Sequence, residues 1–114
     1  MFNRCFPPTM LALLVAVTTG VHAQSFNRIS SFPTSLNLPE NAQSMQETSA
    51  EIITASTDGK TLIYSDSPLG GIGLVDISNI KEPRPAGFVA LAGEPTSVAT
   101  AEGVVLVGVN TSKS

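Results

Sequence analysis

Residues 53–68 read ITASTDGKTLIYSDSP, and residues 97–112 read SVATAEGVVLVGVNTS. Set 44 residues apart without gaps, Asp58-Gly59 falls on Glu102-Gly103, Leu62-Ile63 on Leu106-Val107, and Asp66 on Asn110. Each stretch is two short apolar runs around a glycine-bearing turn, the pattern of a β-hairpin. A recurrence of about 40–45 residues with several short strands per unit is the spacing of propeller blades. The expected fold class is therefore all-β, an incomplete β-propeller. It would hold one four-stranded blade, part of a second, and an N-terminal strand able to close the ring. A whole ring typically takes about four to eight blades, so the remaining blades are the first partners that the sequence implies.

The rest of the chain fills in around these hairpins. Residues 25–32 (SFNRISSF) can form one strand. Residues 33–48 are polar and rich in Pro, Asn, Ser and Gln, and read as a linker with a brief helical turn near 41–46. Residues 49–92 make the first complete blade, with strands at 49–56, 61–65, 72–77 and 86–91. Asp58-Gly59 turns the first hairpin, because glycine accepts positive φ. The loops DSPLGG (66–71) and SNIKEPRP (78–85) separate the later strands, and prolines there cannot donate ladder bonds. Residues 93–114 begin a second blade, with strands at 97–101 and 104–109. The runs IIT, LIY, LVDI and VVLVGV are short and nearly continuous, as in strands buried on both faces. RISSF (28–32) also parallels RPAGF (84–88) in the outermost strand of the blade, which is the basis for the ring-closing strand. The uncharged run at 104–109 is an edge prone to pairing with other chains.

Residues 1–23 carry the marks of a cleaved export signal. Arg4 is basic, MLALLVAV (10–17) is a short apolar run, and TTGVHA (18–23) ends in small residues. Cleavage after Ala23 leaves Gln24 first and makes the product periplasmic or secreted, with no stable membrane anchor. Cys5 precedes the apolar run, so it is not a lipoprotein acceptor. Cys5 and His22 are the single cysteine and histidine of the chain, and both lie in the signal. Thiolate nucleophiles, imidazole bases, disulfides and His/Cys zinc sites are thereby excluded after cleavage. The net charge is −3, with no basic patch to attract nucleic acid. Trp is absent and Tyr64 is the one tyrosine, which leaves little for aromatic stacking.

Residues 50–99, AEIITASTDGKTLIYSDSPLGGIGLVDISNIKEPRPAGFVALAGEPTSVA, resemble the opening of secreted bacterial proteins grouped with the esterase-like phytase family and with LVIVD-type and choice-of-anchor propellers. The AEI strand, the DG hairpin, the LVDISN run with its two prolines, and the GEPTSVA lead-in carry the likeness. It implies calcium-supported phosphoester hydrolysis in the complete propeller.

Three carboxylates are candidate metal ligands. Asp66 opens the loop between the second and third strands. Glu94 sits in the lead-in to the next blade, on the same rim. Glu51 starts the innermost strand, where a charge beside an apolar run needs solvent, a partner or a metal. Together they could serve Ca²⁺, a hard cation that takes six to eight oxygens. The plainer reading makes Asp66 and Glu94 ordinary polar turn residues. Asp76 reads as a strand-end residue that bonds the following turn. Gly71-Ile72-Gly73 lacks the third glycine and the helix of a dinucleotide loop. Asn110-Thr111-Ser112 is a glycosylation sequon, meaningful in a eukaryotic secretory pathway. No catalytic residue is identified. The sequence leaves an exported phytase-like or phosphatase-like hydrolase, inactive as this chain alone, beside a non-enzymatic binding scaffold or a reading frame without function.

Overall fold

The first hairpin turns through residues 57–60. Ser56 N donates to Thr61 O at 2.8 Å, and Gly59 N to Ser56 O at 2.8 Å. Asp58 Oδ1 accepts from Ser56 Oγ at 2.6 Å and from Lys60 N at 3.0 Å. Gly59 takes φ +69° with open space where a Cβ would stand, so glycine is required there by the backbone alone. The second hairpin is tighter. Glu102 at φ 46° and Gly103 at φ 81° form a two-residue turn of the kind whose twist suits antiparallel strands.

These turns organise a computed structural model that describes residues 24–43 and 45–113. The signal expected at 1–23 lies outside the described residues. The architecture is all-β. β1 (Ile53–Ala55), β2 (Thr61–Asp66), β3 (Gly71–Asp76) and β4 (Arg84–Ala90) form an antiparallel sheet in the order β1-β2-β3-β4, here sheet A. β5 (Glu94–Ala101) and β6 (Val104–Asn110) form a separate antiparallel pair, sheet B. Sheet A is thus the four-strand meander expected for residues 49–92. β1 is shorter than the expected 49–56, but Glu51 N and Ser65 O (3.1 Å) and Ser65 N and Ile52 O (2.8 Å) prolong the pairing through a kink. Pro85 and Pro95 lie inside strands rather than in the loops expected for them. Pro85 is on β4, the outer strand of sheet A, and Pro95 adjoins a register shift in β5; both settings tolerate a missing donor.

Each face of sheet A has its own cover. One face carries Ile63, Ile72 and Leu74 and packs on Val98 and Val107 of sheet B, with Leu91 at the margin. Ile63 is almost wholly buried, worth about 1.5–3 kcal/mol by area removed from water. The other face carries Ile53, Leu62, Tyr64 and Val75, and residues 27–34 run beside it around an apolar cavity of about 520 Å³. Glycines let this face close on itself. The Tyr64 ring lies over Gly73 and the Phe88 ring over Gly71, where any Cβ would collide.

Residues 25–32 pair with none of β1–β6; the strand expected there was one that pairs with another blade. They lie along the apolar face of sheet A instead, with Ser30 Oγ donating to Ile80 O at 2.6 Å. The helical turn falls at Thr34–Asn37, as a 3-10 turn, rather than near 41–46. Pro33 supplies the acceptor for Leu36 N at 3.1 Å, and Leu38, already extended, precedes Pro39. Among the described residues of this stretch, Ala42 N bonds Pro39 O and Gln46 N bonds Gln43 O, as isolated turns.

The contact between sheets bears on the repeat. On the ungapped count, Ile63 matches Val107 and Thr54 matches Val98, so the two hairpins meet through equivalent faces. Their tips differ in length, however. Four residues (57–60) follow the Ser56–Thr61 closure, whereas Glu102-Gly103 alone follow the Ala101–Val104 pair. Matching the hairpins by these closing pairs moves each strand by one residue, which exchanges faces. Ile63 then corresponds to Leu106, on the outer side of sheet B.

Candidate functional site

The expected rim of carboxylates is partly assembled. Asp66 ends β2 and is fully buried. Its Oδ2 accepts from Thr48 Oγ1, and its Oδ1 from Leu69 N at 3.2 Å. Both oxygens are therefore occupied in tying residue 48 and the β2–β3 loop to the end of sheet A. An Asp opening a turn is favoured for this reason.

Glu51 is exposed and lies across the same loop. Its Oε2 accepts from Ser67 Oγ at 2.5 Å. The same hydroxyl stands 3.4 Å from the O of Pro95, the second residue of β5. Ser67 thus brings the lead into β1, the β2–β3 loop and the start of β5 to one place. Glu94 is exposed at the head of β5, opposite Asn110 in the ladder, and makes no side-chain hydrogen bond among the described residues.

Calcium would need six to eight oxygens. The Glu51 carboxylate, Ser67 hydroxyl and Pro95 carbonyl are three groups at one spot, and each Asp66 oxygen already accepts one hydrogen bond. Among the described residues, no three His, Cys, Asp or Glu side chains converge as a metal-ion group.

Asp76 behaves as its position implied. Its Oδ1 accepts from Ser78 N at 2.8 Å. The Ser78 side chain, then that backbone bond, hold the carboxyl below the usual carboxylate value. Asp58 is lowered likewise, first by the Ser56 hydroxyl and then by Lys60 N. Tyr64 moves the other way: burial raises its phenol above 10.0, partly offset by the bond from Asn37.

Asn37 is the site residue that sequence reasoning missed. It is buried, at 4 % exposure, in a segment read as linker. Nδ2 donates to Leu74 O at 2.7 Å and to Tyr64 OH at 3.3 Å; Oδ1 accepts from Gly87 N at 3.3 Å. The β3–β4 register shifts between Leu74 and Val75, where Gly87 takes φ +122°. A bulge interrupts the ladder, and the Asn37 amide stands in for the missing backbone partner. The SLNLP context offered one hint, a lone Asn between leucines.

No protein-family model, curated protein or solved structure matches the chain. No described helix is long and apolar enough to cross a membrane.

Proposed function

We propose that the chain is a β-propeller unit, with sheet A as one blade and sheet B as the inner hairpin of the next, serving as an exported scaffold that is not catalytic by itself. The observation that carries this reading is the uncovered outer face of sheet B. Val104 (56 % exposed) and Leu106 (58 % exposed) stand there beside Ala99 and Ala101, with no charged side chain on the strands between them. Lone exposed apolar residues are common, but a contiguous apolar sheet face marks a contact surface.

The register adds support. Propeller blades follow one another by rotation, so the forward face of one meets the rear face of the next. With the hairpins matched at their closing pairs, the Ile63 face of sheet A is equivalent to the open Leu106 face of sheet B. Sheet B then lacks the neighbour that sheet A has. Residues 27–34 lie on the rear face of sheet A, where a preceding blade would pack.

Concatenation tests the scaffold reading. Chains of four to eight copies of residues 49–92 should show one preferred copy number, with a sharp melt and a compact hydrodynamic radius, because a ring closes at a fixed number of blades. Stability that climbs evenly with copy number, as in an open array, would refute it.

A second reading, calcium-supported phosphoester hydrolysis, draws on the Glu51–Ser67–Pro95 oxygens at the rim. It needs further oxygens from other blades. Phosphomonoester turnover by the ring-forming concatemer, in which the backbone of the next copy's Glu51 stands in the place of Pro95, dependent on Ca²⁺ and lost in Glu51→Gln, would favour it over the scaffold.

A further inference from the structure

We propose that the rear face of sheet A, at Ile53 and Tyr64, docks the aliphatic face of a further sheet, and that residues 27–34 are its displaceable cover. On the blade reading, on which this inference rests, that partner is the preceding blade.

The landing point follows from the joint already formed between the two sheets. Sheet B turns Val98 and Val107 toward sheet A, where they pack against Ile63 and Ile72. Val98 and Val107 are Cα partners in the β5–β6 ladder. With the hairpins matched at their closing pairs, they correspond to Ile53 and Tyr64, which are Cα partners in the β1–β2 ladder. Ile53 and Tyr64 both line the apolar cavity on the rear face. One position is thus packed in one sheet and open in the other: Val98 is 9 % exposed, Ile53 58 %. A sheet seated on Ile53 and Tyr64 with side chains like Ile63 and Ile72 repeats the joint between sheets A and B.

Residues 27–34 hold this ground loosely. Ile29 and Phe32 stand across a cavity of about 520 Å³ from Ile53, Leu62 and Val75. Side chains that line a void lose the contacts that packing would give them. Ser30 Oγ on Ile80 O is an exposed tie. Among the described residues, no backbone group of 24–32 bonds to sheet A. Firm attachment begins further along, where Asn37 makes its three bonds and Thr48 bonds Asp66. Residues 27–34 can therefore lift while Asn37 stays in place. During synthesis the N-terminal part of a chain folds first. A cover on the rear face keeps an apolar surface from wrong contacts until its partner sheet is made.

The cover is tested in the full chain. Phe32→Asp should lift it, raising acrylamide quenching of Tyr64, and should speed tryptic cleavage after Arg28 about tenfold, since cleavage follows the open population. Unchanged quenching and cleavage would overturn the cover. Docking is tested in the ring-forming concatemer, with residues 24–48 kept ahead of the first copy and Tyr64→Phe in all the others. Arg28 should again be cut about tenfold faster than in the full chain, while the remaining Tyr64 stays shielded, now by the sheet that replaces the cover. Ile53→Lys in the first copy should abolish the sharp melt by placing a charge in the joint. The same substitution in the full chain, at an exposed position, should leave the urea midpoint in place. A concatemer that closes equally well with Ile53→Lys, or that closes with Arg28 still protected, would overturn this inference and leave the blade reading standing. A concatemer that never closes would overturn both.

Discussion

Replacing Asn37 by Ala should cost far more than its place in a polar linker implies. The side chain fills a break in the β3–β4 ladder. Its loss strips Leu74 O of a 2.7 Å donor in a partly buried setting. Leaving a buried acceptor unmet costs about 1–3 kcal/mol. Gly87 N loses its acceptor as well, but Gly87 is exposed and water can replace it, so this bond contributes only about 0.5–1 kcal/mol. The 3.3 Å contact with Tyr64 OH adds little. The total is about 1.5–4 kcal/mol, against a stability of about 5–15 kcal/mol for an ordinary domain. Tyr64 is the one tyrosine and no tryptophan is present, so its fluorescence reports unfolding directly. A urea titration should show an earlier midpoint at unchanged slope. Amide exchange should show Gly87 losing protection. Asn41→Ala, at an exposed position, should stay within about 0.5 kcal/mol. If Asn37→Ala matched that control in both midpoint and exchange, the bulge-filling role would be wrong.

Glycines separate two kinds of cost. Gly59→Val should destabilise through backbone strain alone, about 1–2 kcal/mol, since nothing crowds the site. Gly73→Ala should cost more, because the new methyl meets the Tyr64 ring; equal urea midpoints would contradict the packing. The Tyr64 phenol is raised above 10.0 by burial, so stability is complete below about pH 10 and falls as pH rises toward the folded value. Tyrosinate absorbance should appear later in the folded chain than in urea, and coincident curves would refute burial. Asp58 and Asp76 are lowered from 3.8, so their contribution stands above that pH and fades as pH falls through their folded values; double Asn substitution should flatten the acid limb of the melting profile. Mass spectrometry of exported material should find Gln24 first, and a retained Met1 would reject the signal.

The sequence by itself determined the parts whose cause is local. Alternating apolar runs and glycine turns placed six strands, four of them in a meander, because strand and turn chemistry act over a few neighbouring residues. Asp76 and Gly59 were legible for the same reason. Tertiary structure decided what depends on distant partners. Whether 25–32 becomes a strand depends on a ladder partner, which no local pattern supplies. Asp66 became a buried anchor because Thr48 and Leu69 reach it, not because of its type. Asn37 gained its role only when a bulge 50 residues away left Gly87 N unpaired. The face on which sheet B packs rested on hairpin tips that differ by two residues, since a shift of one along each strand turns every side chain to the other side.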